Sequence, residues 1–122
     1  MNVVLWVLQI LLALHTLMGA FWKLKNSEQS VPSLRALPHA VWAALTPIEI
    51  ALAAALVLPA AVPSLAVLAP VGALALVAEM LLFAALHARS GETRHGELVY
   101  WLVVAALGAF VAVGRLTLSP VA

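Results

Sequence analysis

The sequence predicts an all-α fold, a transmembrane four-helix bundle with antiparallel up-down topology, forming one domain over residues 1–122. Three observations carry that prediction. Hydrophobic residues make up 66% and charged residues 9% of the chain, where a soluble domain holds roughly 45–50% and about 25%. The mean hydropathy is +1.14; a soluble domain this small buries only about 60–70% of the surface its chain exposes, too little to hide so much apolar area. The apolar residues also fall into four continuous runs, each close to the roughly 20 residues that cross a bilayer. Finally, the runs are rich in Leu and Ala and do not alternate with polar residues, which argues for helices over the strands of a β-barrel. Disorder, collagen, coiled coil and a water-soluble enzyme are excluded by the same composition. The absence of cysteine removes disulfides, thiolate metal sites, iron–sulfur ligation and thiol redox chemistry. A net charge of +1 without clustered Lys and Arg gives no basis for nucleic-acid binding.

The first span runs from about Asn2 to Trp22. No basic residue precedes it and it is longer than a signal-peptide core, so it reads as a retained helix. The link that follows, KLKNSEQSVPSLRALPH, is the longest polar stretch. Within it, Pro32 to Leu37 fit a short interfacial helical turn, with Pro32 early in the turn and Pro38 ending it. The second span runs from about Ala40 to Leu58 and carries an internal proline, Pro47, which removes one backbone hydrogen bond and frees the carbonyl near Ala43. The uncharged PAAVPS makes a tight turn to the third span, about Leu65 to Ala88, and the polar, glycine-containing RSGETRHGE leads to the fourth, about Leu98 to Gly114. Small residues on the fourth span (Ala105, Gly108, Ala109, Ala112), with Gly72 and Ala51 to Ala55 elsewhere, suit close backbone approach in lipid, within the chain or between copies in a homo-oligomer.

Lys and Arg set the orientation. Lys23, Lys25 and Arg35 lie in the first link and Arg89 and Arg94 in the third, on one side of a four-span protein; Arg115 is the exception. Links 23–39 and 89–97 are therefore expected in the cytoplasm and both termini outside, in a plasma membrane of bacterial type. Trp22, Trp42, Tyr100 and Trp101 fall near the cytoplasmic face and Trp6 near the other, where amphipathic rings favour the headgroup level.

Ionisable residues inside hydrocarbon are costly unless protonated, paired or hydrated, and each is a candidate functional residue. His15, Glu49 and Glu79 lie inside spans one, two and three. Counting 1.5 Å per residue from the cytoplasmic ends puts His15 roughly 10 Å deep and both glutamates roughly 13–14 Å deep. Three helices thus bring polar residues to nearly one level, which predicts a single buried centre, with Tyr100, Trp101, Trp42 and His87 at its cytoplasmic rim. Two adjacent carboxyls cannot both ionise easily, so a shared proton, or one bridging to His15, would neutralise them. Such a centre can hydrogen-bond the head of a lipophilic molecule, or act as a general acid and base. No Glu-x-x-His pair lies within a span, Glu92 and His95 falling in the third link, so a di-iron bundle site and a metal role are not expected. The same residues would also serve as a satisfied polar cluster that fixes helix register.

Short stretches of the chain resemble the DoxX-like family: MGAFWKL (Met18 to Leu24) at the end of the first helix, LPHAVWAALTPIEIALAAALVLPA (Leu37 to Ala60) across the second, LHARSGE (Leu86 to Glu92) at the end of the third, and Gly114-Arg115 closing the fourth. The resemblance covers nearly the whole chain. It implies a compact four-helix membrane bundle and carries over Lys23, Glu49 and His87 as matching positions; His15 and Glu79 match no general pattern of the family. The family's name comes from a subunit of a quinone-linked thiosulfate oxidoreductase, which makes a quinone the candidate cofactor and a membrane redox complex the candidate setting. A chain without cysteine, haem or flavin signature does not carry electrons by itself.

The expected function is binding of a lipophilic small molecule, a quinone or isoprenoid, with Glu49 and Glu79 on its head, His15 relaying protons, and His87, Trp42, Tyr100 and Trp101 lining the approach. A membrane enzyme with Glu49, Glu79 and His15 as catalytic acid and base, of isomerase or epoxide-hydrolase type, stays open. So do a small proton-coupled transporter and a subunit of a membrane complex without small-molecule chemistry.

Overall fold

A computed structural model describes residues 2–93 and 95–118; Arg94, one of the basic residues that set the expected orientation, lies outside them. Four helices follow one another: α1 (Asn2–Lys25), α2 (His39–Ala61), α3 (Leu68–Ser90) and α4 (Gly96–Val113). α4 continues as a π-helical turn, Gly114–Leu118, and single 3₁₀ turns occupy Glu28–Ser30, Pro32–Leu34 and Pro63–Leu65. The four membrane-length helices contain 24, 23, 23 and 22 residues when the first π residues are counted with α4, enough to cross about 30 Å of hydrocarbon. The chain is an integral membrane protein with an all-α, four-helix architecture.

The helices outrun the apolar runs at their ends, for local reasons. α1 passes Trp22 and ends at Lys25, because Asn26 Nδ2 donates to the Trp22 carbonyl (2.9 Å) and Trp42 Nε1 donates to the Asn26 carbonyl (3.2 Å), satisfying acceptors that a helix end leaves open. α2 runs through Pro59 to Ala61, so PAAVPS is partly helix and the turn itself is confined to Val62 and the 3₁₀ turn after it. α3 closes at Gly91, whose φ of 77° is left-handed and free of strain only for glycine. The first link bears out the expected short turn at Pro32 and adds a second one before it.

Each helix turns one face inward at the three- and four-residue spacing of a helical stripe. Leu5, Gln9, Leu12, Thr16 and Ala20 are buried on α1, Trp42, Leu45, Glu49, Ala53 and Leu56 on α2, Leu76, Glu79, Phe83 and His87 on α3, and Trp101, Val104, Gly108 and Val111 on α4. The opposite faces keep Val3, Leu11, Leu14, Leu74, Leu81 and Val103 exposed. Lipid supplies no hydrophobic drive between helices, so close packing must hold them. Gly72 and Gly108 provide it. A Cβ at Gly108 would lie 2.9 Å from Val77 Cγ2, and one at Gly72 would lie 3.0 Å from Ala55 Cβ.

Contacts between neighbouring helices run in opposite sequence order. Gln9 reaches the Leu56 carbonyl while Lys23 meets Glu49; Gly108 sits against Ala73 while Trp101 sits against Phe83. Arg115, the basic residue standing apart in the orientation count, is buried. It donates to Gln9 Oε1 and to Asn2 Oδ1 and covers the Trp6 ring at 4.9 Å. This knot ties the end of α4 to the start of α1. Towards their other ends, the two helices leave a gap between them.

Candidate functional site

Lys23 organises the centre. Helical side chains lean toward the N-terminus of their helix, so Lys23, in the last turn of α1, points back into the bundle, while Glu49 leans up α2 toward it. They meet as an ion pair, Nζ to Oε1, at 2.8 Å, with both side chains largely out of solvent. The ammonium also lies 5.2 Å from the ring centres of both Trp42 and Phe83, a cation–π arrangement. One carboxylate and two aromatic faces therefore surround it.

Glu79 lies beside Glu49, close enough to interact with it and with Lys23. It is 6% exposed, and its carboxyl has the adjacent Glu49 carboxyl as its hydrogen-bonding neighbour and no other partner. Glu49 Oε2, Thr16 Oγ1 and His15 Nδ1 are buried without a partner. His15 lies against Tyr100 with ring centres 5.1 Å apart. One cation thus faces two carboxyls, and a group of polar atoms is held out of water with its hydrogen-bonding capacity unused, a costly arrangement unless a proton, water or ligand completes it.

A cavity of about 70 Å³ lies at these atoms, walled by His15, Thr16, Gly19, Lys23 and Glu49 on one side and by Leu76, Met80 and Phe83 on the other. It adjoins a groove of about 660 Å³ through shared walls that include His15, Gly19, Tyr100 and Trp101. The groove fills the gap between α1 and α4. Leu11, Leu14, Met18 and Trp22 line it from α1, Val31 and Leu34 roof it from the first link, and Glu97 stands on its α4 side. Tyr100 and Trp22 are about half exposed along it. An apolar groove that ends at a polar pocket has the shape of a site for an amphiphile.

The structure brings His15, Glu49 and Glu79 to one centre on α1, α2 and α3. Glu79 stands next to Glu49 but is not among the residues lining either cavity, so its route to a bound molecule is through Glu49. Trp42, Tyr100 and Trp101 line the groove. His87 lies elsewhere. It is buried, bonded through Nδ1 to Ser33 Oγ and through Nε2 to His95 Nδ1 (3.0 Å), with its ring edge against Trp101. There it latches the 3₁₀ turn Pro32–Leu34 onto α3, and so holds the roof of the groove through Leu34. His95 and Glu97, which as sequence are simply solvated loop residues, border these features.

Lys23 is read from sequence as a charge of the first link, whereas here it is a helical residue at the centre. Thr16 and Gly19 also belong to the site. Their spacing with Lys23, three residues and then four, is a single helix face, and that stripe is the signal that finds them.

The model of the DoxX-like family matches residues 7–114, a stretch that contains every residue of this centre. The chain belongs to the DoxX-like family. No curated protein and no solved structure matches it. Among the positions that the resemblance singles out in this DoxX-like chain, Lys23 and Glu49 are partners in one ion pair, and His87 is the latch of the link above them. Family membership accounts for the bundle; the chemistry must be argued from the site.

Proposed function

We propose that this DoxX-like protein binds a lipophilic small molecule with a polar head, of the quinone or isoprenoid class, and that it does so as a component of a membrane redox system. The chain of the molecule lies in the groove between α1 and α4. The head enters the small cavity beside Glu49, Thr16 and His15. Glu79 stands beside Glu49, and the Lys23 pair keeps Glu49 in place.

One observation carries this reading. Buried polar atoms without partners stand at the inner end of an apolar groove. A centre that served only to fix helix register would close its hydrogen bonds among its own members. The groove also opens along the side of the bundle, so that a molecule dissolved in the bilayer reaches it without crossing water.

Mass spectrometry of organic extracts from the purified protein tests the proposal, beside a Glu49→Gln/Glu79→Gln variant. The expected result is a quinone or isoprenoid enriched in the native protein and reduced at least about tenfold in the variant, the loss of one charge-assisted contact. Identical lipid in both would move the centre to a purely structural role.

A further inference from the structure

We propose that the head recognised in the cavity is a hydrogen-bond donor, a hydroxyl, so that the preferred occupant is a lipophilic alcohol rather than a carbonyl compound, ether or anion. This rests on the reading above and keeps its isoprenoid member, setting aside a quinone, whose head presents carbonyls.

The atoms that face the cavity select the head. Glu49 Oε2 and Thr16 Oγ1 are oxygens with lone pairs and no partner, and His15 Nδ1 is likewise open. A carboxylate only accepts, a hydroxyl accepts as well as donates, and one nitrogen of a neutral imidazole accepts. The donors in the wall are the Lys23 ammonium and, where the cavity meets the groove, the Tyr100 hydroxyl and the Trp101 indole N–H. The ammonium is engaged with Glu49 Oε1 at 2.8 Å and lies 5.2 Å from the Trp42 and Phe83 ring centres. At Glu49 Oε2 a ligand carbonyl or carboxylate would meet lone pairs with no hydrogen between them. A ligand hydroxyl would donate to Glu49 Oε2 and could accept from Thr16. Each carboxylate oxygen takes two hydrogen bonds, so a proton shared between Glu79 and Glu49 does not close the position.

Size and access agree. The cavity of about 70 Å³ has room for a few waters, at about 10–15 Å³ for each, and so for a hydroxyl with its first carbons. The chain behind it fits the groove of about 660 Å³. Gly19 leaves the approach to Glu49 open. A Cβ there would stand 3.8 Å from Oε2, in van der Waals contact and across the way in.

The test compares farnesol with farnesyl methyl ether, which share a chain and differ in the donor. Binding to the full chain in detergent micelles is read by quenching of tryptophan fluorescence, since Trp22, Trp42 and Trp101 line the groove. Farnesol is expected to bind saturably and about tenfold or more tighter than the ether, the ratio set by a hydrogen bond to a charged acceptor. Glu49→Gln breaks the ion pair and risks the fold, so Thr16→Val and Gly19→Ala serve as variants, with thermal unfolding as the check that each remains folded. Thr16→Val should lower the preference for farnesol, and Gly19→Ala should weaken farnesol at least about fivefold through lost access. Equal binding of the two probes, or tighter binding of the ether, overturns the inference and leaves the groove reading standing. Absence of saturable binding by either overturns the inference, while the extract comparison then decides the broader reading separately.

Discussion

Lys23 stands in the last turn of α1, yet its ammonium sits between Glu49, Trp42 and Phe83. Charged side chains near membrane helix ends commonly stretch toward the interface. This one reaches the other way because a carboxylate and two ring faces receive it, and because its Cα–Cβ bond already tilts toward the N-terminus of α1. The energetic consequence is asymmetric. Removing one member of a buried pair strands a charge and costs about 3–5 kcal/mol, whereas replacing both by apolar residues is often near neutral. Lys23→Met is therefore expected to lower the thermal midpoint in detergent sharply, and Lys23→Met/Glu49→Leu to recover more than half of the loss. A double variant that loses as much as the two single variants summed would mean that the two residues are not energetically coupled. His15, Glu49 and Glu79 were legible in the sequence because polar residues in apolar runs are conspicuous and the rise per residue fixes their depth. Lys23 was singled out only by the family resemblance, and Thr16 and Gly19 not at all, since a lysine at a span end, a threonine and a glycine are ordinary there.

The first link is the element that connects site and surface. Val31 and Leu34 roof the groove, and Ser33 bonds to His87 on α3. A second tie holds its beginning: Glu28 Oε2 meets His39 Nδ1 at 3.0 Å, bringing the start of the link to the start of α2. The hydrogen bond from His39 holds the Glu28 carboxyl below its ordinary value of 4.5. A carboxylate favoured in the folded state contributes stability that is fully present above about pH 4.5 and is lost as pH falls through the lowered folded value. Protection from hydrogen exchange across residues 27–34, relative to the intrinsic rate at each pH, is thus expected to fall on acidification below about pH 4.5, with the helices unchanged. His39→Ala should lower that protection already at neutral pH and remove the acid step. An acid step that survives in that variant would place its origin elsewhere. The Pro32 turn was readable because proline fixes φ at a helix start. The partners of Ser33 and Glu28 were not, because they join residues far apart along the chain.

For the whole molecule, the distribution of Lys and Arg predicts which face meets the cytoplasm, and the structure refines the count. Lys23 and Arg115 are engaged inside the bundle, leaving Lys25, Arg35 and Arg89 as the described basic residues on one side. The excess in the first link and at the helix ends that flank the first and third links persists, so the prediction is unchanged. The chain has no cysteine, which permits a direct check. Ala36→Cys is expected to react with a membrane-impermeant maleimide only after permeabilisation, and Ser64→Cys in intact cells. The opposite pattern would invert the molecule and place the groove's aromatic end outside. At this scale the sequence by itself determined the membrane class, the number of helices and the depth of the carboxyls, because hydrocarbon imposes length and apolarity on every span and makes each buried charge stand out. Tertiary structure alone decided that the cation of the centre is Lys23, that His87 bonds to Ser33 of the first link, and that α1 and α4 part to form a groove. Those outcomes depend on which faces meet and how long side chains cross between helices, and apolar periodicity in a lipid-bathed bundle, where every face can be hydrophobic, carries little record of that choice.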